Sequence, residues 1–169
     1  MYLPTPREVL SQGDIFLQLD LVDSAAPTAL PQKRNVIVIS HDCEIDKPHN
    51  RIILVCGLIP LSNVNQGHQG NIKKNSLANT MYIEPVQTLV ESYVDFRYIF
   101  RADKLYLEEA MRQGLRIASI DNETQLALGT FFYRFLTRKL PSITPPWLQF
   151  FNRISSRISF QINRFLKKS

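Results

Sequence analysis

The sequence predicts a mainly β protein: a small barrel followed by C-terminal helices. Three observations lead there. Val36-Ile37-Val38-Ile39 is a block of four β-branched residues, the side chains that best fit a pleated sheet. Further short runs with strand patterning lie between Gly13 and Ile120, joined by segments rich in Gly, Pro, Asn and Ser. Long helical periodicity begins only after Asp121. Strands first and helices afterwards suit a barrel or a strongly bent sheet.

Gly13-Asp14 opens the first strand, in which Ile15, Leu17, Leu19 and Leu21 recur at every second residue, the period of a half-buried strand. Asp23 to Lys33, with Pro27 and Pro31, reads as a loop. The block Val36–Ile39 is apolar on both faces, which predicts a central strand. Asp46 to Asn50 is a turn, and Arg51–Ile59 the next strand, ended by Pro60. The short connection predicts an antiparallel hairpin. Ser62–Asn79 reads as a long polar loop of the kind that often carries function. Thr80–Ile83 and Tyr93–Phe100 are further strands. In the latter, Val94, Phe96, Tyr98 and Phe100 are expected on one face, and Asp95, Arg97 and Ile99 on the other. Leu105–Gln113 is a short helix and Arg116–Ile120 a last strand.

Asp121-Asn122 can cap a helix from about Glu123 to Arg138, with Leu126, Phe131 and Phe135 toward the core. Pro141, Pro145 and Pro146 then break the chain. A second helix is expected from Trp147 to Lys167, with Trp147, Phe150, Phe151, Ile154, Ile158, Ile162 and Phe165 on one stripe and Arg153, Arg157, Arg164 and Lys168 on another. The expected division is residues 1–140 as a β-barrel domain with a closing helix, and 141–169 as a Pro-linked basic amphipathic helix.

Apolar residues make up 44% of the chain and charged residues 21%, ordinary values for a globular domain of 169 residues. No run of 18 apolar residues is present, and the first residues lack a secretory pattern, so a cytoplasmic location is expected. Cys43 and Cys56 do not make a disulfide framework. After Glu123 there is no acidic residue, whereas Arg134, Arg138, Lys139, Arg153, Arg157, Arg164, Lys167 and Lys168 follow it. A basic tail of this kind attracts phosphate, as RNA or as anionic lipid. Packing on the barrel or on a second copy, peripheral membrane contact through residues 147–168, and a grip on an RNA backbone are the three roles open to the last helix.

Gly13-Asp14-Ile15 opening a strand, Arg34 leading Val36-Ile37-Val38-Ile39-Ser40, and Arg51–Ile59 followed by Pro60-Leu61-Ser62 together resemble the PemK/MazF-type growth-inhibitor family over residues 13 to about 120. Asn35 stands where that family has Pro, and the C-terminal amphipathic helix expected in this chain is extra to the family pattern. The resemblance implies an SH3-like barrel, often a homodimer, that binds RNA in a groove. In catalytic members it cleaves RNA without a metal, as the toxin of a toxin–antitoxin system with an antitoxin protein as partner. Carried onto this chain, it implicates Arg34 as the anion-stabilising cation, with Ser40 and Ser62 as the hydroxyl matches. Lys73 and Lys74 of the long loop join Arg34 and Ser62 as RNA-binding candidates.

The run Ser40-His41-Asp42-Cys43-Glu44 has no counterpart in that family and is the most suggestive chemistry in the chain. At the end of a strand, His41 and Cys43 would share one face, and Asp42 and Glu44 the other. A hairpin centred between His49 and Asn50 would set Cys56 opposite Cys43. Three chemistries are then open. His41 could act as acid and base, oriented by Asp42 or Glu44, in RNA cleavage with Arg34 as anion stabiliser. Cys43 could be a nucleophile activated by a histidine. Zinc could be held by His41, Cys43 and Cys56 with His49 or His68, but the spacing matches no common zinc pattern, so neither a metal nor another cofactor is expected. The plainer readings are that Cys56 is a small buried residue, that Asp42, Glu44 and Asp46 end a strand, that Arg34 is a solvated charge, and that His49 and His68 are exposed. On function, an RNA-binding protein with endoribonuclease activity stands first. The alternative is a non-catalytic module on the same barrel that binds a protein or a membrane.

Overall fold

The computed structural model of the protein describes residues 1–22 and 30–137. They form strands β1 (Asp14–Leu21), β2 (Gln32–Val38), β3 (Ile52–Pro60), β4 (Thr80–Ile83), β5 (Ser92–Asp103) and β6 (Arg116–Ser119), with helices α1 (Asp42–Ile45), α2 (Gln66–Lys73), α3 (Lys104–Arg112) and α4 (Asn122–Thr137). The strands make one antiparallel sheet in the order β4-β5-β3-β2-β1-β6. The architecture is therefore mainly β, as the strand patterns predict.

The block Val36–Ile39 does what its two apolar faces require. Val36 and Val38 join a core with Phe16, Leu19, Val55 and Phe100, which Leu107 and Ala110 of α3 cover. Ile37 and Ile39 join a second core on the opposite face, with Ile15, Leu58, Val94 and Phe96, which Leu128 of α4 covers. All four side chains of the block are buried. Each such burial contributes roughly 2 kcal/mol. A smaller cluster of Leu61, Ile72 and Tyr93 lies under α2.

Gly13 and Asp14 tie the start of β1 to β6. Gly13 has φ +84°, and a Cβ there would sit 2.2 Å from Cγ1 of Ile120, so both backbone and space demand glycine. Asp14 is fully buried and accepts from the Ser11 amide, the Ser119 hydroxyl and Nη1 of Arg116. Burial pushes its carboxyl above the ordinary range, with these partners opposing. The edge strands β4 and β6 are not paired with each other. Residues near the start of the chain lie between their ends. Tyr2 bridges Ile120, the Leu3 amide donates to the Ser119 carbonyl at 2.9 Å, and the Tyr2 hydroxyl donates to the Glu84 carbonyl. Gln87 adds a side-chain bond to the Ile117 carbonyl at 2.7 Å.

Four expectations need correction. The register between β3 and β5 jumps from Cys56↔Ile99 to Leu58↔Val94, so β5 bulges between these points. The bulge flips the alternation: Val94 and Phe96 enter one core and Phe100 the other, while Tyr98 is 50% exposed and Asp95 is buried. Ser62–Asn79 is not one structureless loop, since it holds a 3-10 turn at Leu61–Asn63 and α2, capped by the Asn65 side chain. The helix is hard to read because Ile72 is its one buried residue. On α4, Phe131 and Phe135 pack against the core as expected, but Leu126 is exposed. Finally, Ser40–Glu44 does not continue a strand: β2 ends at Val38 and residues 42–45 are helical.

The middle of the first loop, Arg138, the three prolines and the expected helix from Trp147 to Lys167 lie outside the described residues. No helix among the described residues is long and apolar enough to cross a membrane.

Candidate functional site

Beyond β2 the chain turns away from the sheet, and His41 becomes the N-cap of α1. The Cys43 amide donates to Nδ1 of His41 at 3.2 Å, and Sγ of Cys43 lies 3.1 Å from the same nitrogen. Both side chains are exposed. His41 and Cys43 are thus neighbours, through a helix cap rather than a shared strand face. The cap follows from their spacing, since an N-cap side chain reaches the amides two and three residues on.

The acidic residues do other work. Asp42 accepts from the Gln12 amide at 2.6 Å through Oδ1 and from Nε2 of Gln125 at 2.8 Å through Oδ2. Gln125 in turn accepts from Nη2 of Arg7 at 3.0 Å. Glu44 pairs with Lys47. Both carboxylates are occupied by these partners, and the bonds that reach His41 come from Cys43 instead, so the expected carboxylate–histidine pair is not assembled. Ser40 is likewise engaged, its Oγ accepting from the Leu54 amide at 2.8 Å.

Cys56 stands opposite Ile37 on one side and Ile99 on the other, not opposite Cys43. It is fully buried, and Sγ donates to the Asp95 carbonyl at 3.0 Å. Burial pushes its thiol far up. The two-thiol patch expected from the hairpin register is therefore absent, and with it the geometry of the proposed zinc set. His49 is exposed in a turn and His68 exposed on α2.

Arg34 lies near the other end of β2. Ser40 lies six residues further along the chain, two past the end of β2, a span of at most about 20 Å at the usual rise. It forms one side of an open groove of ≈ 450 Å³ with Lys33, Asn35, Gly57, Tyr98 and Phe100. The guanidinium carbon sits 5.1 Å from the centre of the Phe100 ring. Nη2 donates to the exposed Gln32 side chain at 2.6 Å, while Nε is buried with no hydrogen-bond partner. Gln18 reaches the groove from a bulge in β1, where its φ is 56°. Its amide and Nε2 both donate to Oδ1 of Asn35, at 3.1 and 3.3 Å. On β5, Asp95 is held by Arg97 at 2.6 Å.

The other RNA-binding candidates do not line this groove. Ser62 is exposed on the 3-10 turn that follows β3. Lys73 pairs with Glu91 at 2.7 Å, and Lys74 is the exposed C-cap of α2. Sequence reasoning missed Gln12 and Gln125, which anchor α1, and Tyr98, Asn35 and Gly57, which shape the groove. A glycine inside an apolar strand is the one signal among them, because it marks a place where a neighbouring group comes close. The amino-acid sequence matches no known protein family, and no curated protein matches it.

Proposed function

We propose that the sheet is an SH3-like barrel that binds RNA in the groove around Arg34. The groove itself carries the reading. Lys33 and Arg34 offer positive charge for phosphate, and the half-exposed ring of Tyr98 beside Gly57 offers a face for a base. The bulge in β5, and the residues that lie between the free edges of β4 and β6, support a barrel over a flat sheet. Binding is favoured over cleavage by one combined centre, because Arg34 and the His41–Cys43 pair stand at opposite ends of β2. An antitoxin-like partner and a homodimer belong to the same reading as proposals.

The test is titration of fluorescein-labelled, mixed-sequence single-stranded RNA at several salt concentrations. Binding should weaken as salt rises, and Arg34→Ala should reduce affinity about tenfold and lower the salt slope by about one. A gel of the same RNA reads cleavage directly. Absence of salt-sensitive binding overturns the proposal.

A second reading, a protein-interaction module, is favoured by one observation. Leu126, Tyr133 and Leu136 are 63%, 56% and 60% exposed along one side of α4. Apolar residues spaced seven and ten apart on a helix make a continuous stripe.

A further inference from the structure

The His41–Cys43 pair is left over by the RNA reading and is independent of it. The Nδ1 atom of His41 accepts the Cys43 amide proton, so the neutral ring carries its own hydrogen on Nε2. In that tautomer Nδ1 carries no hydrogen, and the Cys43 sulfur lies 3.1 Å from it. This tautomer is the form that can take a thiol proton.

The pair is also held from outside. Helix α1 has four residues and buries only Ile45. Yet Gln12 and Gln125 hold Asp42, the Leu54 amide holds Ser40, Asn50 donates to the Glu44 carbonyl at 3.0 Å, and Lys104 donates to the Ile45 carbonyl at 2.7 Å. These bonds fix the position of α1, and with it the places of His41 and Cys43. Such support is what fixes a reactive pair in place. Both side chains are exposed, so the pair is open to a small electrophile arriving from solvent.

We propose that Cys43 is a peroxide-reactive thiol with His41 as its base. The Cys43 thiol proton passes to Nδ1 of His41, and the thiolate attacks one oxygen of hydrogen peroxide. The S–O bond forms as the O–O bond breaks, and the departing hydroxide takes the proton from His41 and leaves as water. Sulfur is oxidised by two electrons, peroxide is reduced, and Cys43 becomes a sulfenic acid. Cys56 cannot resolve it, being buried in the sheet between Ile37 and Ile99. A low-molecular-weight thiol is therefore the partner that does so: it condenses with the sulfenic acid, releasing water, and a second such thiol displaces it as a disulfide to restore Cys43.

The experiment treats the full-length protein with hydrogen peroxide in the presence of dimedone, which traps sulfenic acids, and follows the two cysteine peptides by mass spectrometry. Cys43 should be labelled and Cys56 not. His41→Asn keeps a capping acceptor but removes the base, and should slow labelling of Cys43 by about tenfold. Labelling of native Cys43 no faster than in the urea-unfolded chain overturns the proposal. So does an equal rate in His41→Asn, which would leave His41 as a cap alone.

Discussion

Asn35 shows how one side chain shapes a neighbouring strand. It follows Arg34 on β2, and its Oδ1 accepts both the amide and the side-chain amide of Gln18. Those bonds hold Gln18 at its positive φ and so shape the β1 bulge that lines the groove. Asp95 is a second such residue. Burial raises its carboxyl, but the Arg97 guanidinium and amide, with Asn79, outweigh this and leave it below the ordinary range. A depressed folded-state value means that the stabilisation is fully present above the unfolded value, near 4, and is lost as pH falls through the folded one. Asp95→Asn should therefore cost about 1 kcal/mol at neutral pH, discounted for the exposure of Arg97. The gap from the native protein should close in urea titrations at progressively lower pH below about 4. A gap that stays constant from pH 7 to pH 3 would contradict the assignment.

At the scale of elements, α1 is the clearest case of structure imposed from outside. Its four residues are too few for intrinsic helical stability. The anchoring of Asp42 to Gln12 and Gln125 supplies what propensity cannot. Asp42→Ala removes both acceptors and strands the part-buried Gln12 amide, an expected loss of about 1–3 kcal/mol. Amide exchange of residues 43–46 should quicken with it. An unchanged unfolding midpoint and unchanged exchange would show that α1 stands without the anchor. Strand β5 makes the complementary point: its bulge hands one strand to two cores, and parts Tyr98 from the face that Val94 and Phe96 share, so that it lines the groove.

At the scale of the whole molecule, both faces of the sheet are covered, by α3 on one side and α4 on the other. The outer stripe of α4 is not needed for that cover. Replacing Leu126 and Leu136 by lysine should therefore change stability by no more than about 0.5 kcal/mol, which chemical denaturation can check. If the expected homodimer uses this face, the same variant should sediment as a monomer.

The sequence by itself determined the mainly β class, the central place of Val36–Ile39, the β2–β3 hairpin, the short helix α3 and the start of α4 at the Asp121-Asn122 cap. These features rest on period, β-branching and capping, which are local. It also marked Arg34, His41 and Cys43 as residues worth placing. Only the tertiary structure decided how they combine. It kept Arg34 on β2 and put His41 beyond that strand as the cap of α1, gave Asp42 to Gln12 and Gln125, sent Cys56 into the sheet, and brought Tyr98 to the groove. Each of these outcomes depends on a bulge, a cross-strand register or a bond between residues far apart in the chain. Such relations have no period and no fixed spacing, so no pattern in the sequence could carry them.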